Sequence, residues 1–589
     1  MSRRGSRHTF RDMWRLAKPY WISEEKGSAW GLLSAVILLN LGNVYVGIRI
    51  NDWNRAFYNA LQNFDGIELF RQLGVFCLVV AFAISMSVCG LYLNQMLQIR
   101  WRRWLTYKYL DQWLGERAYY RLHVLSTTDN PDQRIAEDIG LFTTYVMNLS
   151  VGLVSSLVSL LSFLLILREL SGPARIPLGD WDIYIPAYLV WAALLYAGVG
   201  TWLTIRIGRP LVPLNFTRQR VEADFRFSLV RFRENSESIA FYGGEPVEGS
   251  VFRHRFANVF ENFLRIMKRQ RRLGFFTLGY SQIGTIFPVM VVAPRYFEKA
   301  ISLGGLMQVV NAFSFVHNSL SFIINSYPDI AALQAVTQRL SGFDERLEAT
   351  HQGVFVPRQI THLRSDHGVT VRGLDLDLPD GKPLLRSLLL KAKGGEAVLI
   401  KGPSGSGKST LLRAIAGLWP FGRGEIILGA GKILFVPQRP YLPLGTLASA
   451  LRYPSSDPGA FSTGRLAEAL EDVGLGQLAD ELNWTENWSQ RLSLGEQQRI
   501  AFARILIAQP AIVFLDESTS AIDASVEAHL YSRLRLARSH PTIISVGHRS
   551  ELKNFHDRVF DLADFTSSRF HRPLKRNGKT AGGVARAAT

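Results

Sequence analysis

The chain has 589 residues, 47% of them hydrophobic, with 67 Lys and Arg against 49 Asp and Glu for a formal net charge of +18. A mean hydropathy of +0.07 beside that cationic excess excludes a collagen-like or disordered chain and argues against one uniform soluble domain. The two cysteines, Cys77 and Cys89, share one apolar stretch and provide neither a disulfide framework nor a metal cluster.

Residues 1–27 form a basic N-terminal segment, and the apolar run after it has no small-residue cleavage site, so it reads as a retained span. Apolar stretches long enough to cross about 30 Å of hydrocarbon as helix fall at roughly 28–48, 72–94, 145–167, 183–205, 275–297 and 306–326. Gly284, Pro288, Pro294 and Asn311 interrupt the last two. Six such runs exceed what one soluble core needs, which predicts a transmembrane domain over 28–340 with six spans in a lipid bilayer. Segments 1–27, 99–142 and 206–272 hold 28 Lys and Arg, whereas 51–68, 168–182 and 299–305 hold four. That asymmetry places both termini in the cytoplasm and accounts for the basic excess with no nucleic acid partner.

The two long cytoplasmic segments read as helices continuing out of the bilayer. In the first, Asn130-Pro-Asp-Gln133 predicts a short helix far from lipid, with Asn130 as its cap, Pro131 at the first helical position and Gln133 closing a capping box. The second carries Glu222-Ala-Asp-Phe-Arg226 and Glu234 to Glu245, with mixed charges at helical spacing. Asn40, Asn43 and Asn94, inside or at the ends of spans, suit either a water-filled cavity or hydrogen bonds between helices.

From 350 to 565, short leucine-rich and β-branched strands alternate with helices, which predicts a soluble α/β domain, and the basic tail 566–589 is expected to be disordered. Within that domain, the apolar strand Ala397–Ile400 runs into Gly402-Pro-Ser-Gly-Ser-Gly-Lys-Ser409 and a helical pattern from Thr410 to Trp419, a P-loop in its strand–loop–helix context. Gly402, Gly405 and Gly407 let the backbone curl, so that amide N–H groups from Ser404 to Thr410 and a helix N-terminus face phosphate oxygens. Lys408 supplies a point charge for the β- and γ-phosphates, and Ser409 is placed to ligate Mg²⁺. Farther on, Ala511-Ile-Val-Phe-Leu-Asp-Glu517 is an apolar strand ending in two carboxylates. Asp516 suits the Mg²⁺ shell and Glu517 the acceptance of a proton from the attacking water, so ATP and Mg²⁺ are the expected cofactors.

Between these motifs, Leu492-Ser-Leu-Gly-Glu-Gln-Gln-Arg499 resembles the signature sequence of ATP-binding cassette (ABC) proteins. The resemblance implies that Gln438, in Val436-Pro-Gln-Arg439, is the Q-loop residue at the metal and nucleotide, and that Asp523 belongs to the D-loop Ser520–Asp523. It makes His548, in Val546-Gly-His-Arg549, the switch histidine beside the catalytic Glu517. In that family Ser493 and Gly495 close over a γ-phosphate held by the other subunit's P-loop, so a chain with one cassette implies a homodimer. Leu494 and Glu496 replace the glycine and glutamine of the commonest signature, and Leu376–Asp380 lacks the aromatic that usually stacks on adenine.

In the membrane half, Asn130–Asp138, Asn51-Asp-Trp-Asn54, Gly208-Arg-Pro210 and Ile239–Glu245 resemble the SbmA/BacA-type peptide uptake permeases, in the branch fused to an ATPase. That branch is similar to a mycobacterial transporter of cobalamin and hydrophilic compounds, and more distantly to the peroxisomal fatty acyl-CoA half-transporters. The resemblance implies an all-α six-helix transmembrane domain of the exporter-type ABC fold joined to a soluble α/β P-loop ATPase domain. It further implies a plasma (inner) membrane importer of peptide or cobalamin-like substrates. The competing readings are a lipid or acyl-CoA exporter on the same scaffold and, against the six apolar runs, a soluble ABC ATPase outside transport.

Overall fold

The computed structural model describes residues 3–124, 130–171, 173–178, 181–352, 359–366 and 368–566, so all but the first residue of the basic tail lies outside it. The chain divides into two compact units, Met1–Gln112 with Asp129–Glu345, and Trp113–Thr128 with Arg346–Thr589. In chain order the first helices are α1 (Arg3–Trp21), α2 (Lys26–Gln62), α3 (Gly66–Leu114), α4 (Ala118–Val124), α5 (Pro131–Gln133) and α6 (Ile139–Ser171). A hairpin of β1 (Pro173–Leu178) and β2 (Trp181–Pro186) follows, then α7 (Tyr188–Gly208) and α8 (Leu211–Glu234). After them come α9 (Ser236–Tyr242), α10 (Glu245–Phe297), α11 (Leu303–Asn325) and α12 (Tyr327–His351).

Among the described residues, five helical stretches are long and apolar enough to cross a membrane: Lys26–Gln62, Gly66–Val124, Pro131–Ser171, Tyr188–Glu234 and Glu245–Phe297. Their outward faces are apolar, as on α3, where Leu78, Phe82, Ile84, Val88 and Leu91 are exposed, a surface suited to lipid. The sixth apolar run lies in α11, which carries Gln308, Asn311, His317 and Asn318 and is packed by α2, α6, α7 and α10. A helix covered by protein rather than lipid has no need to be apolar all round. Val309, Ala312, Phe313 and Val316 of α11 join Phe163, Leu167 and Val292 in one buried cluster. Two of the three span asparagines make hydrogen bonds between helices: Asn43 Oδ1 accepts from Ser87 Oγ at 3.1 Å, and Asn40 Oδ1 from Ser155 Oγ at 3.5 Å.

The capping box expected at Asn130 does not form. Asn130 takes a left-handed conformation (φ 45°) without a side-chain cap, and Gln133 donates instead to Glu137 Oε2 at 3.1 Å. Nor does a separate short helix stand there, because a π-turn, Arg134–Asp138, fuses α5 to α6. The cause is a long-range ion pair. Asp138, buried by that turn, accepts from Arg339 Nη2 at 2.6 Å and Nε at 2.9 Å, and from Arg134 Nη1 at 2.9 Å. Burying a charge demands such partners, and the helix start is rearranged to supply them.

In the second unit a parallel sheet has the order β13 (Arg558–Asp561), β6 (Ala397–Lys401), β12 (Thr542–Val546), β11 (Ile512–Asp516), β8 (Ile433–Val436). Its central strands β6 and β11 carry apolar runs because both faces are covered, and every residue of β12, including Thr542 and Ser545, is buried. A second, mixed sheet has the order β3 (Gln359–Ser365), β7 (Gly422–Gly429), β4 (Val369–Asp377), β5 (Pro383–Ala392), and β9 (Gly445–Thr446) pairs with β10 (Thr485–Glu486). The helices are α13 (Lys408–Ile415), α14 (Leu447–Arg452), α15 (Thr463–Asp472), α16 (Trp488–Arg491), α17 (Leu494–Ala508) and α18 (Ala524–Arg535). Leu411, Leu412, Ala414 and Ile415 of α13 pack with Val398, Ile400, Phe514 and Ile544 of the parallel sheet and with Val371, Leu376, Leu390 and Ile426 of the mixed one. The helix that follows the P-loop is thereby clamped between two layers. The segment carrying α4 belongs to this unit, with Ala118 and Leu122 buried and Val124 against the same cluster.

Candidate functional site

The P-loop joins β6 to α13. Gly407 has φ 94°, and a Cβ there would come within 3.0 Å of Leu384, so both conformation and space call for glycine. Lys408 is buried, and its Nζ donates to the carbonyls of Gly402 and Pro403, each at 2.9 Å. Burial holds its pKa below the ordinary lysine value, against the opposing pull of Glu517 and Asp516. Ser404 and Gly405 are exposed in the loop, while Ser409 and Thr410 sit half-buried on the first turn of α13. Ser409 Oγ donates to Asp516 Oδ1 at 3.0 Å, and burial pushes the Asp516 carboxyl up.

Because β8, β11 and β12 are parallel neighbours in register, their C-terminal ends open at one level, where ligand sites form in such sheets. Glu517 follows β11 with φ 46°, and its N–H donates to Val546 O at 3.0 Å. Its carboxylate accepts from Gln438 Nε2 at 3.0 Å and lies 3.2 Å from His548 Nε2. Gln438, Glu517 and His548, far apart in sequence, thus meet on one carboxylate. The oxygens of Ser409 and Asp516 with the Gln438 amide fit Mg²⁺, which accepts few protein ligands and completes its shell with phosphate and water.

Ser493 is the N-cap of α17. Its Oγ accepts from Glu496 N at 3.3 Å, and Glu496 Oε2 accepts from Ser493 N at 2.9 Å and Ser493 Oγ at 2.8 Å, a capping box that accounts for glutamate at this position. A Cβ on Gly495 would stand 2.7 Å from Ala521 O, so the D-loop backbone closes on the signature there. Asp523 is the N-cap of α18 without a side-chain cap bond. Among the described residues, Ser493, Gly495 and Asp523 make no hydrogen bond to the Gly402–Ser409 loop. The structure therefore joins Ser409 to Asp516, and Gln438 and His548 to Glu517, while Gly495 packs on the Ala521 backbone.

Two braces went unread in the sequence. Fully buried Gln498 donates to Gln438 O at 2.9 Å and Ser520 Oγ at 3.1 Å and accepts from Ala521 N at 3.0 Å, tying signature helix, Q-loop and D-loop together. Arg549, next to the switch histidine, donates to Ile522 O at 2.6 Å and Ser520 O at 3.1 Å. Their signal was polarity on an otherwise apolar helix face for Gln498, and adjacency to His548 for Arg549. Where an adenine-stacking aromatic was missing, the β4–β5 hairpin places Leu384 against Gly407 and pairs Arg386 with Asp377 at 2.6 Å.

Residues 16–297 match the family described as ABC transporter transmembrane region 2, and residues 385–520 match ABC transporter. The chain is 36% identical over 624 residues to ABC transporter D family member 2, chloroplastic, of Arabidopsis thaliana, covering 94% of this chain and 86% of the relative. It belongs to the ABC transporter family. The transporter is also 34% identical to the inner membrane ABC transporter ATP-binding protein YddA of Escherichia coli, covering 93% and 96% of the two chains. It is 28% identical to the lysosomal cobalamin transporter ABCD4 of Homo sapiens, covering 92% of each. Its fold matches a bacterial Atm1-family ABC exporter with ATP bound, at a TM-score of 0.67 and 19% identity over 90% of this chain and 93% of that one. The exporter-type fold expected from the sequence is therefore present, a helical membrane region fused to an ATPase domain with α/β sheets.

Proposed function

We propose that two copies of this transporter form an ATP-driven homodimer that imports bulky hydrophilic solutes, antimicrobial-type peptides or cobalamin-like molecules, across the plasma (inner) membrane, as its SbmA/BacA-like features imply. Support for the dimer comes from a contrast between two short cytoplasmic helices. Ala118 and Leu122 of α4 are buried, whereas α9 buries no residue and leaves Phe241 82% and Tyr242 89% exposed. An exposed aromatic pair at water level fits a cassette supplied by a second copy. With α11 as the sixth span, both termini lie in the cytoplasm.

In this reading the amides of Gly402 to Thr410 receive the phosphates, and Lys408 turns from its two loop carbonyls to the β- and γ-phosphates. Ser409, Asp516 and Gln438 would hold Mg²⁺, which would supply positive charge beside the transferred phosphoryl group. Glu517 takes the proton of the attacking water while His548 and Gln438 orient its carboxylate. Ser493, Gly495 and Asp523 serve the site on the other copy, so binding two ATP molecules closes the dimer and hydrolysis releases it. That alternation rocks the spans between inward-open and outward-open states.

A lipid or acyl-CoA exporter is the second reading, favoured by an apolar groove of about 520 Å³ between α7 and α10 lined by Val199, Leu203, Phe276 and Ile283. Proteoliposomes with ATP on the cassette side separate the two. Uptake of labelled cobalamin or peptide supports import, whereas accumulation without hydrolysis, or ATPase stimulation by acyl-CoA in place of these solutes, overturns it.

A further inference from the structure

A second cleft, of about 530 Å³, opens in the membrane unit between the cytoplasmic end of α3 and the start of α6. Its walls are two matched stripes. Gln95, Gln98 and Arg102 follow one another at i, i+3 and i+7 on α3, and Glu137, Gly140 and Thr144 repeat that spacing opposite them. The π-turn Arg134–Asp138 forms part of the second wall, and such turns are frequent at functional sites.

The polar groups are held in place yet keep free capacity. Gln98 Nε2 donates to Asn148 Oδ1 at 3.1 Å and its Oε1 accepts from Thr144 Oγ1 at 3.4 Å, which fixes the amide across the cleft. Arg102 lies over Gly140, where a Cβ would stand 3.1 Å from its Cζ, and one guanidinium nitrogen donates to Ala136 O at 2.9 Å. Arg102 makes no ion pair among the described residues, so N–H donors of its fork remain to be used. One cation and one anion cancel, and the rest of the polar lining is amide and hydroxyl. A phosphate or coenzyme A head group calls for clustered cations, and an acyl chain for an apolar wall. A carboxamide offers a donor and an acceptor together, the complement of Gln95, Gln98 and Thr144, with Arg102 for its carbonyl and Glu137 for its N–H.

We propose that this cleft is a substrate-recognition site for uncharged or zwitterionic solutes rich in carboxamides, peptides and amidated macrocycles among them. The inference rests on the transport function proposed above and names the chemistry by which the substrate is read. The test uses the purified full-length dimer in nanodiscs, with ATPase activity titrated against cyanocobalamin, a glutamine-rich hexapeptide and palmitoyl-CoA. Gln98→Leu and Thr144→Val should each raise the half-stimulating concentration of the amide probes by about tenfold, the loss of one or two hydrogen bonds. Basal hydrolysis should stay unchanged in both variants. Stimulation that is equal in wild type and variants overturns the cleft while leaving the transport reading standing. No response of the wild type to either amide probe sinks the function and the cleft together. Should Gln98→Leu lower basal turnover, the near-isosteric Thr144→Val decides alone, and unaltered stimulation in it overturns the proposal.

Discussion

Glu517 is the point at which three strand ends meet, and its geometry makes a sharp forecast. Gln438 Nε2 and His548 Nε2 stand 3.0 and 3.2 Å from the two carboxylate oxygens, so a glutamine can occupy the same space but cannot accept a proton. Glu517→Gln should retain ATP affinity and lower kcat by about 10²-fold or more, the usual contribution of a general base. Turnover near wild type would assign the proton to another group. A second residue sets a pH dependence. His556 is buried, with Nδ1 2.7 Å from Leu552 O and Nε2 2.8 Å from Ser545 Oγ, and burial holds its pKa below the ordinary histidine value. The unfolded chain then binds more protons than the folded one near that pKa. The contribution of His556 to stability is therefore present above about pH 6.5 and is lost as the pH falls through the lowered folded value. Thermal midpoints measured from about pH 7.5 to 5.5 should decline on acidification, and His556→Gln should flatten that slope.

Among the elements, the π-turn before α6 shows how a distant residue overrides a local signal. Asn130-Pro-Asp-Gln133 has the residues of a capping box, but Arg339, 201 residues away, delivers a bidentate pair to Asp138, and the backbone widens to bury it. Such a partner leaves no trace in the local pattern. The P-loop, by contrast, was legible because its strand, loop and first helical turn are contiguous, so its chemistry and its conformation are written in the same few residues. Gln498 and the D-loop carbonyls that Arg549 holds were illegible for the opposite reason, their partners lying 22 to 60 residues away or more than one element apart. Removing the buried anion should be severe. Asp138→Ala removes the buried carboxylate that Arg339 and Arg134 share and should cost about 3–5 kcal/mol, read as a lower thermal midpoint of the detergent-solubilised protein. Asp138→Asn, which keeps the hydrogen-bond acceptor, should lose less, and equal loss in both would show that charge is not what the turn is built around.

On the scale of the whole molecule, apolar runs revealed the helical membrane region, and the motif order revealed the cassette. The assignment of Trp113–Thr128 to the cassette unit was hidden, since Ala118 and Leu122 look like any amphipathic pair until their neighbours are known. Its counterpart α9 has the same length and a similar apolar content, yet stays bare. Hydrophobic surface of that kind costs solubility unless something covers it, and fully burying a large apolar side chain contributes about 1.5–3 kcal/mol. In the proposed homodimer, covering Phe241 and Tyr242 with a second copy would add up to about 6 kcal/mol to association, before the ordering losses that accompany binding. The double variant Phe241→Ala/Tyr242→Ala should then shift half-maximal ATPase activity to a higher protein concentration on dilution, with ATP affinity of each chain unaltered, because neither residue approaches the P-loop in the sequence or belongs to the cassette unit. Specific activity in the wild type that is independent of dilution, measured on a species shown by light scattering to be monomeric, would mean that one chain completes its own nucleotide site. Ser493 and Gly495 would then have to reach Lys408 within a single cassette, and the dimer seam would lose its reason to exist.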